Sequence, residues 1–324
     1  MQCSWPQAVA VMVLAALAVL VGAPRGGAAE RVGVVASIKP IYSLVAGVMQ
    51  GVATPHLIVR GGGSPHAYAM KPSDARALET AKVVFWIGPG IEMFLEHAIE
   101  NLTDGAEVVT LSRAERLVQR KIREDGPWAH QAHDDAESGT GQHEAHRAGD
   151  HEIDPHVWLD PLNAQAMVAK IAAVLGRADP RNKAAYEANA KALANRLDGL
   201  MRELKLELAP ILERPYMVFH DGFQYFEKRF GLRPIGSVTA NPDRQPGAER
   251  IHEVQARIRD LGAVCIFTEP QFRPRLLAVV IEGTDVKIGV LDPLGASLPD
   301  GPDLYFALMR RNAKALRDCL GDGG

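Results

Sequence analysis

The sequence predicts an α/β protein of two lobes, each with a mainly parallel sheet, joined by a long rigid connector helix. Three observations predict it. Short β-branched runs alternate with helical periodicity in the first part of the chain; a long helical stretch follows; and the alternation then restarts. At 324 residues the chain is long for one core and natural for two domains.

The first 29 residues stand apart. "AVAVMVLAALAVLVGA" (Ala8 to Ala23) is an uncharged run of signal-peptide length, short for a membrane span, and Gly27-Ala28-Ala29 supplies the small residues of a cleavage site. Residues 1–29 are therefore expected to be a signal peptide, cleaved after Ala29 on export. "MQCSWPQ" lacks Lys and Arg, and the alternative is a retained N-terminal anchor. Cys3 precedes the apolar run and leaves with it, so Cys265 and Cys319 remain. In an oxidising compartment such a pair is expected to form a disulfide tying down the C-terminus; the alternative is two separately buried thiols.

The N-terminal lobe, 30–178, is expected to hold four strands. "VGVVASI" (Val32 to Ile38), "PHLIV" (Pro55 to Val59), "VVFWIG" (Val83 to Gly88) and "EVVTL" (Glu107 to Leu111) read as buried strands. "PIYSLVAGVMQ", "KPSDARALETA" and "IEMFLEHAIEN" carry apolar residues at helical spacing between them. This βαβ order implies a parallel sheet covered on both faces. Helical periodicity then runs from Leu162 to Leu208, broken near "GRADPRN", and residues 179–210 form the connector. The C-terminal lobe, 211–324, repeats the pattern with "YMVFH", "RPIGSV", "AVCIFTE" and "VKIGVLD".

Between the first lobe's strands and the long helical stretch lies "HQAHDDAESGTGQHEAHRAGDHEIDPHVWLD". It contains His130, His133, His143, His146, His151 and His156, six of the chain's eleven histidines. From Glu124 to Asp154 there are nine acidic residues against one arginine, a composition that cannot bury a core. His156 differs from the rest because the prolines of "DPHVWLDP" hold it in an extended segment.

Open α/β sheets bind ligands at the carboxyl ends of their strands. That rule selects His220, Glu269 and Asp292 at strand ends, and His66 in the glycine-rich turn "RGGGSPHAY". With His156, three histidines and two carboxylates can converge on one cleft between the lobes. Imidazole nitrogen with carboxylate oxygen is a zinc ligand set. His97 and His252 read as solvated helix positions, His97 beside Glu92 and Glu96, and His56 as a residue satisfied by its neighbours. Enzyme motifs fail: "HEIDPH" has the wrong spacing and a proline where the metalloprotease helix would run, and no nucleophile elbow or phosphate loop is present. A net charge of -3 offers no basic patch for nucleic acid.

Quoted in order, "VVASIKPIYSLVAGV", "HAYAMKPSDARAL", "VFWIGPGIEMFL", "HVWLDP", "VFHDGFQYFEKRFGL", "QPGAERIHE", "TEPQFRP" and "GVLDPLG" span nearly the whole mature chain. The series resembles the periplasmic zinc-binding protein of bacterial high-affinity zinc ABC importers (the ZnuA-like family). The resemblance implies two α/β lobes bridged by a helix, with Zn2+ in the cleft on His66, His156 and His220. His220 separates zinc members from manganese binders, which tend to carry a carboxylate there. Asp292 matches a fourth ligand in several relatives, others using water or an acidic residue before the first histidine. Here that residue is Pro65, which cannot ligate, and this favours Asp292 or water. Glu269 is kept as a cleft or hinge residue. The resemblance also implies the Cys265–Cys319 bridge, and it matches loop 128–151 to a His-rich insertion whose His130, His133, His143, His146 and His151 hold zinc as auxiliary ligands.

The expected function is capture of Zn2+ in the periplasm by a monomeric, non-enzymatic carrier, and its delivery to a membrane permease driven by an ATPase. The alternatives are a zinc-dependent hydrolase using an open three-histidine site, and a binder of manganese or another divalent metal.

Overall fold

Fully buried parallel strands need apolar residues on both faces, and each β-branched run supplies them. The computed structural model describes residues 2, 32–123, 128, 153–239, 246–271 and 274–321, without the side chains of 274–276. His130, His133, His143, His146 and His151, and all but one residue of the expected signal peptide, lie outside them. In the first sheet β1 (Val34–Ala36), β2 (His56–Leu57), β3 (Val83–Trp86) and β4 (Glu107–Thr110) pair in parallel in the order β2-β1-β3-β4. In the second, β5 (Tyr216–His220), β6 (Pro234–Thr239), β7 (Cys265–Thr268) and β8 (Lys287–Val290) take the same order, β6-β5-β7-β8, again parallel throughout. All eight expected strands form.

Helices α1 (Lys39–Val48), α2 (Pro72–Glu79) and α3 (Met93–Leu102) connect the first sheet, and α6 (Gln224–Phe230), α7 (Ala248–Asp260) and α8 (Pro274–Val280) the second. Helix α4 (Pro161–Ala178) starts where Asp160 caps it, its Oδ1 accepting from the Leu162 amide at 2.9 Å, with proline in the first turn. A 3-10 turn at Pro180–Asn182 separates it from α5 (Lys183–Leu208). At 26 residues α5 is about 39 Å long and joins the lobes.

Leu193, Leu197, Leu200, Leu204 and Leu208 form the buried stripe of α5. It lies against α1, α4 and the terminal helix α9 (Leu304–Leu320). One core runs through both lobes, from Val35, Val84 and Phe85 of the first sheet, past α1, α4, α5 and α9, to Tyr216, Val218, Cys265 and Phe267 of the second. Alternate residues of β5 and β7 point the other way. Met217, Phe219 and Ile266 join Val254, Ile258, Leu277 and Val280 in a smaller cluster under α7 and α8.

Cys265 and Cys319 are disulfide-bonded, Cα atoms 6.2 Å apart across 54 residues of sequence. The bridge fastens the end of α9 to the start of β7 and in the chain-entropy model stabilises by about 4 kcal/mol. On the exposed side Arg310 pairs with Glu203 and Arg317 with Glu207, stitching α9 to α5.

Polar contacts between sequence halves add to the shared core. Buried Lys39 at the start of α1 donates to Leu298 O at 2.7 Å and pairs with Asp300 at 3.2 Å. Tyr305 N donates to Ser43 Oγ at 3.0 Å. A hinge would have to break both the core and these bonds, so zinc loading is expected to move the lobes little. Small-angle scattering from metal-free and loaded protein should give superimposable pair-distance distributions; a marked contraction on loading would contradict this.

Candidate metal centre

Three segments deliver the three imidazoles. His66 lies in the turn after β2, where Gly61 has a φ of 62°, a backbone conformation glycine adopts without strain. The turn is pinned further on by Tyr68, whose hydroxyl donates to Ile58 O at 3.0 Å. His156 follows Asp154-Pro155, and Asp154 Oδ1 accepts from both the His156 amide (3.0 Å) and its Nδ1 (2.8 Å). His220 is the last residue of β5, and its Nδ1 donates to Glu269 Oε1 at 2.8 Å, just beyond the end of β7. Strand ends and proline-bounded turns therefore aim side chains into one cleft, as open parallel sheets do.

The ring centroids are 4.9 Å apart for His156–His220, 5.7 Å for His66–His220 and 5.9 Å for His66–His156. One nitrogen from each ring lies within 4.8 Å of one from each of the others, and among the described residues this is the group that could hold a metal. With both Nδ1 atoms occupied by carboxylates, His156 and His220 have Nε2 left for an ion. Ile91, Trp158, Pro293 and Leu294 wall the cavity with apolar surface, and Glu269 and Gln271 line it as well.

Electrostatics separate the histidines. Burial, with His220 and His156 close by, pulls the His66 pKa down to about 2, so the ring is neutral across the physiological range. Burial acts the same way on His220. There the charge and hydrogen bond of Glu269, with Asp221 and Asp154 further off, outweigh it and hold the pKa above the ordinary imidazole value.

The segment bearing His156 belongs to the first half of the chain but is gripped by the second. Tyr225 donates to Asp154 O at 2.9 Å, Trp158 Nε1 to Pro293 O at 2.8 Å, and Tyr305 to Trp158 O at 2.7 Å. Arg229 holds the Asp160 carboxylate with two bonds of 2.6 Å. Beside His220, Arg123 chelates Asp221 and pairs with buried Glu227 at 2.9 Å, while Trp128 stacks on its guanidinium.

A family model described as ZnuA, zinc-uptake complex component A periplasmic, matches residues 34–319. The chain belongs to the ZnuA family. It is 50% identical to the high-affinity zinc uptake system protein ZnuA of Brucella abortus (strain 2308), over 90% of this chain and 93% of that one. To the Yersinia pestis protein of the same name it is 34% identical, over 89% and 91%. A zinc-bound deletion mutant of ZnuA superposes with a TM-score of 0.70 at 21% identity, covering 90% of this chain and 98% of that one. The laminin-binding adhesin Lmb of Streptococcus agalactiae superposes at 0.71 and 24% identity, covering 89% and 98%. At these identities the two structures speak for the fold.

Asp292, a fourth ligand in the resemblance to ZnuA-like proteins, stands outside the histidine group in this chain. Its Oδ1 accepts from the amides of Leu294 (3.0 Å) and Gly295 (2.8 Å) and its Oδ2 from that of Ala296 (2.7 Å). Asn312 brackets its backbone with two bonds of 2.8 Å. The carboxylate caps its own turn. Of the remaining histidines, His56 bonds Asp74 at 3.0 Å, His97 is solvated near Glu100, and His252 is exposed.

Glu92 departs from its expected place on a solvated helix face, being fully buried. One oxygen accepts from the amides of Ile87 (2.8 Å) and Gly88 (3.2 Å) at the end of β3. Burial raises its pKa to about 7, against the stabilising pull of Ser37, Gly88 and Ile87. An unfolded glutamate loses its proton near 4.5, so between 4.5 and about 7 the folded chain holds the extra proton. Glu92's contribution is thus full below 4.5 and is lost as pH rises through 7. Relative to Glu92→Gln, the wild type should lose up to about 3 kcal/mol of unfolding free energy between pH 4.5 and 8, measured by denaturant titration. A difference independent of pH would contradict this.

Proposed function

We propose that this ZnuA-family chain captures Zn2+ in the periplasm and delivers it to the membrane permease of an ABC importer. The observation that carries this reading is the convergence of His66, His156 and His220, three imidazole nitrogen donors from three separate segments, in one apolar-walled cleft. Imidazole nitrogens suit zinc and disfavour hard cations such as magnesium and calcium. Three histidines with the fourth position taken by water make a site that holds zinc and leaves it accessible for release. Asp292 is left to cap its turn. Binding requires neutral rings, so affinity falls as protons compete for the same nitrogens.

The chain is a solute-binding transport protein and not an enzyme, which sets aside the hydrolase alternative. Residues 1–29 direct export and are cleaved off in the process, and no helix among the described residues is long and apolar enough to cross a membrane. The loaded monomer docks on a permease driven by a cytoplasmic ATPase. His130, His133, His143, His146 and His151 gather zinc weakly and pass it to the cleft.

Zinc titration by calorimetry with a competing chelator tests the assignment. The mature protein is compared with a variant in which His66, His156 and His220 are Ala, and with one lacking 128–151. The triple variant should lose the tight site and the deletion should keep it. Loss of tight binding in the deletion variant alone would make the loop the receptor and overturn the proposal.

A further inference from the structure

The three ligands are not supported equally. His156 donates Nδ1 to Asp154, whose carboxylate also holds the His156 amide, and both residues are buried. His220 donates Nδ1 to Glu269, again with both partners buried. Neither ring can turn without leaving a buried carboxylate short of a donor, a penalty larger than that of an ordinary lost hydrogen bond. Their backbones are equally fixed: His220 is paired into the sheet opposite Thr239, and the His156 segment is tied to Tyr225, Arg229, Pro293 and Tyr305. His66 has none of this. Among the described residues no hydrogen bond reaches its imidazole, and its amide makes only a 3.3 Å contact with Ser64 Oγ, in a turn that begins with three glycines.

We propose that Asp154 and Glu269 are positioning residues that present the Nε2 atoms of His156 and His220 as a preformed two-nitrogen platform, and that His66, which has no such partner among the described residues, is the ligand that closes on the metal last and leaves it first. A carboxylate accepting from Nδ1–H fixes the tautomer, aims the ring and makes Nε2 a stronger donor. Two oriented nitrogens give an arriving ion a landing point. A third on a glycine-rich turn completes the coordination without locking it, as suits a carrier that must give up its cargo. The inference rests on the three-histidine reading above.

Two measurements test it. In metal-free wild type at about pH 8, long-range 15N–1H spectra of histidine-labelled protein should show His156 and His220 as Nδ1–H tautomers. Finding either as the Nε2–H tautomer would overturn the proposal without any substitution. The second measurement follows zinc affinity, dissociation rate and the Co2+ absorption spectrum in Glu269→Ala, Glu269→Gln, Asp154→Ala, Asp154→Asn and His66→Ala. The Ala variants at 154 and 269 should lose about 10–100-fold in affinity. The Gln and Asn variants, which still accept from Nδ1–H, should recover most of it. His66→Ala should keep a weak site with a Co2+ spectrum of fewer nitrogens and faster release, whereas His156→Ala and His220→Ala abolish binding. If all three histidine variants lose zinc equally while the carboxylate variants bind and release it like wild type, this inference fails and the site stands. If none of the histidine variants weakens binding, the site itself is wrong.

Discussion

The meeting of three imidazoles so far apart in sequence depends on a core that both lobes share. The aromatic and aliphatic side chains between the two sheets form one continuous body, and α5 and α9 run along it as a spine closed by the Cys265–Cys319 bridge. His220 ends a strand, His66 lies in the turn after one, and His156 stands just before the 3-10 turn that leads into α4. Because interiors are close-packed, the positions of those ends are set by the core and not by the cleft. The three imidazoles therefore stand together as part of the folded core.

Charge is arranged with the same economy. The cleft wall is apolar, which keeps water from competing for the ring nitrogens and depresses protonation of His66. Two carboxylates stand one step back, Asp154 on His156 Nδ1 and Glu269 on His220 Nδ1. A carboxylate in direct contact would bind harder cations as well. The positive groups nearby, Arg123 and Arg229, are committed to Asp221, Glu227 and Asp160.

Much of this was legible in the sequence, for identifiable reasons. Strands buried on both faces must be apolar runs, and β1, β3 and β5 were readable as such; the edge strands β4 and β8 carry the same β-branched residues, yet Val108, Ile288 and Val290 are exposed. The rule that ligands sit at strand carboxyl ends picked out His220 and its neighbour Glu269, and proline spacing set His156 apart from the histidines of the acidic loop. Residues whose role depends on a distant partner were harder to read. Asp292 ends a strand and looked ligand-like, yet "DPLGA" folds back so that three amides satisfy it; aspartate with glycine three residues on is a turn signal that could have warned of this. Glu92 directly precedes the helix that carries half-buried Glu96 and exposed Glu100 and looked like one of that helix's solvated residues, but at the helix start the end of β3 offers it two amides. Asp154, two residues before His156, carries the short spacing of an Asx turn, a signal that went unused. The grip of Arg229 on Asp160 crosses 69 residues and left no local trace.

Zinc K-edge X-ray absorption of the protein loaded with one equivalent of Zn2+ addresses the central claim most directly. The account predicts three imidazole nitrogens with strong outer-ring scattering and one further light atom, at about 2.0–2.1 Å, and no sulfur. A first shell with only one or two imidazoles, or one dominated by carboxylate oxygen, would contradict it.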